Sequence, residues 1–440
     1  METIYTFISK KSLTAVLSLV FLLGVNNKTQ AAIAFQETAI SFNQYKGKVI
    51  DSKTRKSLGF ATLTLENTNI STVTNTEGHF ALKIPKNISE GNIIISFLGY
   101  KSKRIALSSL KPTKNKISLT TSVTKLAGVD VTIPKDAAAL VRESLKRKNE
   151  NYFTSPTFMT AFYRETIKKR RRNVSLSEAV VNIQKASYSS IRKDVLQLYK
   201  ARKSTDYSRL DTLALKLQGG PFNTLFVDIM KYPEYIFSQE AISNYIFTYD
   251  RSTKINDRLI YVIKFKPYEG IEDQLYKGEL FIAAESKVLT RATYALHITN
   301  KEKASKLFVR KKPSNARVYP RNIKYRVDYR EKNGKWYYGY SSVYLEFKIN
   351  WDKKLFNSIY SLTAEMAITD WEQNTAKNDI KRKERLKSSI ILSDEAIGFS
   401  DPDFWGEYNI IEPEKSIESA IRKIKKQLRK SNNGNGKSTP

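Results

Sequence analysis

Apolar and polar residues alternate with a period of two over much of this 440-residue chain. In the stretch TNTEGHFALKIP, Phe80, Leu82 and Ile84 follow a turn-forming sequence and end at a proline. In RNIKYRVDYRE, apolar residues alternate with charged ones from Ile323 to Tyr329. Because successive side chains of a β-strand point to opposite faces, this period predicts strands with one buried face. The chain is therefore predicted to be mainly β with some α-helix.

The first residues have the anatomy of a secretory signal peptide. Lys10 and Lys11 precede the apolar run LTAVLSLVFLLGV, and small residues follow in TQAAIA. This run is shorter than the roughly 20 residues that a membrane-spanning helix needs. Residues 1–34 are therefore predicted to be removed on export. The mature chain is expected to have no transmembrane segment and to lie in the periplasm or at the periphery of the outer membrane.

The chain is strongly basic, with a formal net charge of +32, and contains no cysteine. A large positive charge indicates an anionic partner such as nucleic acid or a lipid surface. An exported protein would meet little nucleic acid, and the sequence contains no recognised nucleic-acid-binding motif. The expected partners are an anionic membrane surface, a lipid or an outer-membrane protein. Without disulfides, the fold must be stabilised by its hydrophobic cores.

Residues 44–122 contain short alternating strands separated by turn residues, a pattern that predicts an antiparallel β-sandwich. This segment resembles the carboxypeptidase regulatory-like domain, a seven-stranded sandwich that precedes many outer-membrane receptors and surface proteins of Bacteroidota. The residues that carry the resemblance are Gly47, Val49, Asp51, Leu58, Ala61, Thr74, Gly78, Phe80, Pro85, Ser96, Gly99 and Tyr100. Ser71 departs from the family, whose members often have glycine there. The resemblance implies a structural or interaction module without peptidase chemistry.

A larger domain is predicted at 135–372, after a linker strand at 123–134. Helical spacing after Asp136 predicts a helix of about four turns, and 210–237 is predicted to form one or two helices against a sheet. The strands that follow predict a curved antiparallel sheet, similar to the half-barrels of periplasmic lipoprotein carriers. AFYRET, SEAVVNI and LQGGPFNTLFVDIM resemble the body of exported Bacteroidota proteins that begin with the same sandwich.

Residues 373–440 are predicted to form a basic tail with an amphipathic helix and a disordered end. Apolar residues from Ile417 to Leu428 have helical spacing and are surrounded by lysine and arginine. Such a helix suits two locations, an anionic membrane surface or the protein's own sheet. The sequence leaves both alternatives open.

The two histidines, His79 and His297, provide no recognisable catalytic or metal site. A zinc peptidase commonly has His and Glu three residues apart, but Leu82 and Asn300 occupy those positions. No Gly-x-Ser-x-Gly motif is present, and a thiol nucleophile is excluded. The sequence therefore predicts no enzyme, no metal and no cofactor. The alternative is a hydrolase-related protein with an unrecognised carboxylate site, for example Asp228 with Glu240.

The favoured interpretation is a non-enzymatic binding or structural protein that holds a lipid, an acyl chain or a peptide in the curved sheet. Aromatic side chains are expected to line this binding face, although the same residues would also suit a core. These candidates are Phe162, Tyr163, Tyr325, Tyr329, Trp336 and Tyr338. Candidates for contact with an anionic surface lie at a predicted hairpin tip, KKRRR, and in the tail helix. They are Lys168, Lys169, Arg170, Arg171, Arg172, Arg422, Lys425, Lys426 and Arg429.

Overall fold

The computed structural model describes residues 41–122, 136–205, 219–238, 240–255, 258–271, 275–308, 314–352, 357–374, 379–398, 404–415, 417–419 and 422. The predicted signal peptide and the predicted linker strand at 123–134 lie outside these residues. So do Lys425, Lys426 and Arg429 of the predicted tail helix. The account that follows concerns the described residues.

The N-terminal sandwich consists of two small sheets, with strand orders β4-β1-β7 and β3-β2-β5-β6. Its strands are β1 (Phe42–Asp51), β2 (Thr62–Leu65), β3 (Ser71–Val73), β4 (His79–Pro85), β5 (Asn92–Ser96), β6 (Lys103–Ala106) and β7 (Asn115–Leu119). Alternate residues of both sheets, including Leu63, Phe80, Ile95 and Ile117, meet in one hydrophobic core. The seven strands and their inward residues follow the alternation in the sequence.

One strand pair of the sandwich differs from the antiparallel prediction, because β1 lies parallel to β7 and antiparallel to β4. The chain passes through the other sheet between β1 and β7, so no hairpin constrains this pair to be antiparallel. The turn before β4 forms as predicted. Asn75 Oδ1 accepts hydrogen bonds from the backbone N–H groups of Glu77 and His79, at 3.0 and 2.9 Å, and Gly78 has a positive φ of 79°.

The predicted helix after the sandwich is present but shorter than four turns. It consists of α1 (Ala137–Lys146) followed by the single-turn helix α2 (Lys148–Asn151). Asp136 caps α1, because its side chain accepts a hydrogen bond of 2.9 Å from the backbone N–H of Ala139. The buried side of α1, which includes Leu140 and Val141, packs in the main hydrophobic core.

The second β structure is one large open sheet. Its strands are β8 (Thr157–Lys169), β9 (Arg172–Lys185), β10 (Val195–Thr205), β11 (Tyr245–Ile255), β12 (Arg258–Pro267), β13 (Tyr276–Ala283), β14 (Leu289–Leu296), β15 (Ala316–Lys332), β16 (Lys335–Trp351), β17 (Ser358–Gln373) and β18 (Ile397–Gly398). Their order is β11-β12-β13-β14-β15-β16-β17-β8-β9-β10-β18. All neighbours are antiparallel except the short β18, which runs parallel to β10. The predicted fold class, mainly β with a large antiparallel sheet, is confirmed.

Two hairpins of the large sheet confirm turns that the sequence predicts. Strands β8 and β9 are joined at the basic run 168–172, where Lys169 pairs with Arg172. Strands β15 and β16 are joined by Asn333 and Gly334, whose φ angles of 52° and 77° are both positive. Such a two-residue turn matches the twist of the flanking strands.

Different parts of the chain pack against the two faces of the large sheet. We call the face that carries Tyr163 the inner face and the face that carries Phe162 the outer face. The inner face packs against α1 and residues 219–238, which contain α3 (Pro221–Leu225) and a 3₁₀ turn (Pro233–Tyr235). Of the predicted helical segment 210–237, residues 210–218 lie outside the described residues. In the described part, only these single turns form, and Gly219 and Gly220, whose φ angles are both positive, end any helix before α3.

The outer face packs against the sandwich and against residues 404–415, which we call the C-terminal strap. Phe162 and Tyr340 of the sheet, Val73 of the sandwich, and Trp405 and Ile410 of the strap belong to one hydrophobic cluster. Thus the sandwich and the large sheet share a core instead of being joined only by a linker.

The strap also covers the side of β4 that points away from the sandwich core. Alternation predicts that Ala81 and Lys83 point to this side, opposite Phe80, Leu82 and Ile84, and only the latter three belong to the sandwich core. Ala81 and Lys83 are nevertheless buried, at 1% and 7% exposure. Asn409 of the strap pairs with this edge strand, accepting from Lys83 N at 2.7 Å and donating to Lys83 O at 3.0 Å. The strap thus protects an edge strand of the sandwich.

The remaining helices are short: α4 (Lys301–Phe308) and α5 (Leu392–Glu395). Part of the predicted tail helix is described, with helical residues at Lys415, at 417–419 and at Arg422. Ile417 is buried against Leu176 of β9, so this end of the helix packs on the protein. Among the described residues, none of the helices combines the length and apolar composition required to span a bilayer.

Candidate ligand-binding cavity

Four of the six predicted ligand-binding aromatic residues lie in the core beneath the inner face. Tyr163, Tyr329, Trp336 and Tyr338 are at most 7% exposed. Tyr329 donates a hydrogen bond of 2.9 Å from its hydroxyl to Asp228 Oδ1. The Tyr338 hydroxyl is hydrogen-bonded at 2.6 Å to Ser341 Oγ. At these positions the inner face is filled by residues 219–238 and by its own side chains.

The other two residues lie elsewhere. Phe162 is on the outer face, where its ring packs edge-on against Trp405 with 5.4 Å between centroids. Tyr325 is partly buried and stacks on Tyr294 at 5.0 Å. The six aromatic side chains therefore do not form one continuous surface. The structure places them in separate packing environments of the large sheet.

The predicted basic surface residues that the structure describes lie in two places. Arg170, Arg171 and Arg172 are exposed at the β8–β9 hairpin, with Lys168 and Lys169 half-buried beside them. Arg422 is exposed on the described part of the tail helix. Contact of these residues with an anionic surface stays a prediction.

A buried ionic cluster fixes residues 219–238 to the inner face. Lys185 Nζ lies 2.6 Å from Asp194 Oδ2 and 2.7 Å from Asp228 Oδ2, and all three side chains are almost completely buried. Tyr188 and Tyr232 donate hydroxyl hydrogen bonds to these carboxylates. Asp228 is thus engaged with a lysine and two tyrosines, and the geometry does not pair it with Glu240, which is exposed.

A second buried cluster fixes the C-terminal strap to the outer face. Arg164 Nη2 lies 2.6 Å from Glu178 Oε1 and donates a hydrogen bond of 2.6 Å to the backbone carbonyl of Ile411. Arg202 also pairs with Glu178 and lies 4.7 Å from the ring centroid of Trp405. Both clusters satisfy their charges internally, which is typical of structural ion pairs.

A cavity of about 370 Å³ lies between the sandwich and the outer face of β14, β15 and β16. We call it the junction cavity. The sandwich contributes β2 and β5 residues, including the cross-strand pair Thr62 and Ser96, together with Phe60 and Phe97. Tyr329 and Trp336, two of the predicted ligand-binding residues, also adjoin the cavity, but their side chains lie in the core beneath the inner face. Ligand sites commonly have volumes in this range and lie where domains meet.

Charged residues form the floor of the junction cavity. Asp328 and Arg330 occupy alternate positions of β15, and Arg291 of the adjacent β14 is paired with Asp328. Arg326, two residues before Asp328, is not part of the lining. The Asp328 carboxylate accepts hydrogen bonds from Arg291 and, at 2.6 Å, from Arg326 Nε. Arg330 Nη1 donates to Ser71 Oγ at 2.7 Å and to the carbonyl of Ile368 at 2.9 Å.

Burial and the repulsion between neighbouring arginines shift the pKa values of these groups. Burial, followed by the positive charge of Arg326, lowers the pKa of Arg291 to about 10. Burial also lowers the pKa of Arg330. Burial alone would raise the pKa of Asp328, but the charges of Arg291 and Arg326 hold it below its ordinary value. The floor therefore combines the guanidinium groups of Arg291 and Arg330 with the carboxylate of Asp328.

A β-bulge gives Arg330 its position. Asp328 pairs with Tyr340 and Tyr329 with Tyr338, so Gly339 of β16 has no partner opposite it. A Cβ atom at Gly339 would lie 2.6 Å from Arg330 Cγ. Glycine therefore makes room for the arginine stem, a use of glycine that is expected at bulges and close approaches.

The other carboxylates that line the junction cavity have partners at its rim. Glu66 forms an ion pair with Arg104 of β6, and Glu331 forms one with Arg258 of β12. Both of these arginines are more than half exposed. Glu66 and Glu331 are thus each neutralised by one arginine at the rim.

Neither histidine belongs to the junction cavity. His79 Nδ1 lies 3.6 Å from Glu77 Oε2 on the sandwich. His297 follows β14, and burial, followed by the charge of Lys277, lowers its pKa. Among the residues that the structure describes, no group of three or more His, Cys, Asp and Glu side chains is arranged to hold a metal ion.

The charged floor of the junction cavity was not predicted from the sequence. Asp328 and Arg330 alternate with apolar residues in KYRVDYRE, and a strand with a solvent-facing side would show the same pattern. The covering sandwich depends on tertiary packing, which the alternation does not encode.

Residues 45–131 match the family model of the CarboxypepD_reg-like domain. This match confirms the resemblance of the N-terminal sandwich, and it covers that domain only. No curated protein matches the chain.

Two solved structures are similar at a low level. A DUF1329 family protein from Desulfovibrio piger has 10% sequence identity and a TM-score of 0.24, with 55% of this chain and 95% of that chain covered. Lipovitellin has 7% identity and a TM-score of 0.24, with 53% of this chain and 27% of that chain covered. Similarity at this level has no functional implication.

Proposed function

We propose that this chain is an exported, non-enzymatic binding protein that holds a small ligand in the junction cavity. The observation that carries the proposal is the cavity itself, about 370 Å³ between two β structures that share a hydrophobic cluster. Its lining combines aromatic rings with a few fixed charged groups, which is the usual composition of a ligand site.

The location differs from the one that the sequence suggested. The inner face of the sheet is packed with its own side chains, so a lipid, acyl chain or peptide would have to displace a core to bind there. The junction cavity needs no such displacement. A binding role is also supported by the fixed ion pairs at its floor, because they position a ligand without providing a nucleophile next to a general base.

Export is supported by the pattern of residues 1–34 and by the absence of cysteine, which removes any risk of unwanted disulfides in an oxidising compartment. Expression with the complete N-terminus in a bacterium with a periplasm, followed by mass measurement of the fractionated protein, tests this part. A mature protein that begins near residue 35 in the periplasmic fraction is expected. Full-length protein in the cytoplasm would contradict export.

Ligand binding can be tested by native mass spectrometry of the purified protein. We expect a fraction of wild-type molecules to carry additional mass that is released on denaturation. Thr64→Trp places a large side chain on the sandwich wall of the cavity, since Thr64 lines it. Lys103→Trp is the matched control, because Lys103 is exposed on the same sheet and does not line the cavity.

The proposal expects the additional mass to disappear in Thr64→Trp and to remain in Lys103→Trp. If both variants retain the mass equally, the ligand lies outside the junction cavity and the proposal is wrong. Thermal melting of the variants checks that the added tryptophan has not unfolded the sandwich.

A further inference from the structure

We infer that the ligand of the junction cavity carries an oxyanion, such as a carboxylate, sulfonate or phosphate group, and that Arg330 binds it. This inference rests on the proposed function and specifies the chemistry of the ligand. Three observations support it: the charge of the floor, a guanidinium nitrogen without a partner, and the aromatic walls.

The first observation is an excess of positive charge. Arg291 and Arg330 line the floor together with the single carboxylate of Asp328, and that carboxylate already pairs with Arg291 and Arg326. Glu66 and Glu331 do not balance this excess, because each is paired with an arginine at the rim. Positive charge that is removed from water without a counter-ion is costly. An anion in the cavity would reduce that cost.

The second observation is an unsatisfied donor. Among the described residues, Nη2 of Arg330, a residue of the cavity lining, is buried and has no hydrogen-bond partner. Nη1 of the same guanidinium group is fixed by Ser71 and by the carbonyl of Ile368. Buried polar groups normally have partners. A guanidinium group is well suited to an oxyanion, because its N–H groups form a rigid fork.

The third observation concerns the rest of the ligand. Phe60 and Phe97 of the sandwich face the floor, where Arg326 lies 4.6 Å from the Phe60 centroid and Arg291 lies 5.9 Å from the Phe97 centroid. Tyr337 and Tyr340 contribute to the sheet side of the cavity. These walls suit an aromatic or otherwise apolar body attached to the oxyanion.

Two fluorescent probes with nearly the same aromatic body test the inference. Anilinonaphthalene sulfonate carries an anionic sulfonate, whereas phenylnaphthylamine is neutral. Fluorescence titrations of the wild-type protein are expected to show at least about tenfold tighter binding of the sulfonate, since a hydrogen bond to a charged group contributes on the order of 1.5–3 kcal/mol. Competition by benzoate and by inorganic phosphate distinguishes a carboxylate site from a phosphate site.

The arginine variants locate the interaction. Arg330→Gln is expected to weaken binding of the sulfonate at least about tenfold and to leave binding of the neutral probe unchanged. Arg330→Lys keeps the charge but removes the fork of N–H groups, so an intermediate loss is expected. Arg142→Gln is the control, because Arg142 is exposed on α1 and does not line the cavity. If Arg330→Gln does not fold, because Arg330 also binds Ser71 and Ile368, Arg330→Lys decides.

The outcomes separate this inference from the proposed function. If both probes bind the wild type equally and Thr64→Trp abolishes binding of both, the inference of an oxyanion is wrong and the junction cavity remains the binding site. Unchanged sulfonate binding in the folded Arg330 variants would also contradict the inference that the cavity binds an oxyanion. Binding of both probes that persists in Thr64→Trp would contradict the proposed function itself.

Discussion

Glu165 is a buried carboxyl group on the inner face, where its Oε1 accepts a hydrogen bond of 2.7 Å from the Tyr163 hydroxyl. Burial raises the pKa of Glu165 to about 7, although the hydrogen bond from Tyr163 opposes the increase. A raised carboxyl pKa is common at active sites, but structural groups show it too. Glu165 is not among the residues that line the junction cavity, so we treat it as a determinant of stability.

Glu165→Gln is expected to stabilise the protein above neutral pH. The pKa of Glu165 in the folded protein, about 7, exceeds its ordinary value of 4.5. The folded state therefore favours the protonated form, and stability is lost as pH rises from about 4.5 to about 7. Glutamine removes a penalty on the order of 2–3 kcal/mol at pH 8 and almost none at pH 4. Urea unfolding at both pH values measures the difference.

Glu90→Gln is the control for this experiment, because Glu90 is exposed on the sandwich. It should change the free energy of unfolding by a similar, small amount at both pH values. An equal effect of Glu165→Gln at pH 4 and pH 8 would contradict the raised pKa of Glu165.

Gly339→Ala is expected to lower stability by about 1–3 kcal/mol, because the new methyl group would collide with the stem of Arg330. The cost should largely disappear in the Arg330→Ala background, where the obstructing atoms are absent. Chemical denaturation of the two single variants and the double variant gives the coupling energy. Additive costs would show that the clash lies elsewhere.

At the scale of elements, local patterns could be predicted from the sequence and long-range pairings could not. The β15–β16 hairpin follows from alternation on both sides of Asn333 and Gly334, which favour its two-residue turn. The pairing of β17 with β8 joins Gln373 to Thr157, and no turn specifies it. The C-terminal strap was predicted as part of a basic tail, because the pairing of Asn409 with an edge strand has no local signature.

Asn409→Ala is expected to destabilise the protein by about 1–3 kcal/mol. The substitution leaves the backbone N–H and C=O of Lys83 without the amide that pairs with them in a buried location. Chemical denaturation measures the change, with Asn149→Ala as the control on the exposed surface of α2. A change below about 0.5 kcal/mol, as is typical of surface substitutions, would show that the strap does not depend on this contact.

At the scale of the whole molecule, the sandwich and the large sheet are held together by shared burial. Ser71 binds both Arg330 and the carbonyl of Ile368, across the boundary between the two β structures. The strap adds contacts to each side, through Thr72 to the sandwich and through Arg164 to the sheet. The junction cavity is enclosed by both β structures, so its shape depends on their relative position.

We expect thermal unfolding to occur as a single cooperative transition that includes both β structures. Separation of the sandwich would expose the hydrophobic cluster that contains Val73, Phe162 and Trp405, and it would leave the arginine floor without its cover. Scanning calorimetry, compared with unfolding followed by circular dichroism, tests this expectation. Two resolved transitions would indicate that the sandwich unfolds independently.

The strap is also expected to dock late during folding. Lys46 and Glu412 are 366 positions apart in sequence and form an ion pair at 3.0 Å. A ribosome releases the strap long after the strands that it covers, and closing so long a loop is entropically costly. The final step of maturation is therefore expected to be the docking of a late-synthesised segment on preassembled sheets, and until then the chain remains vulnerable to proteolysis.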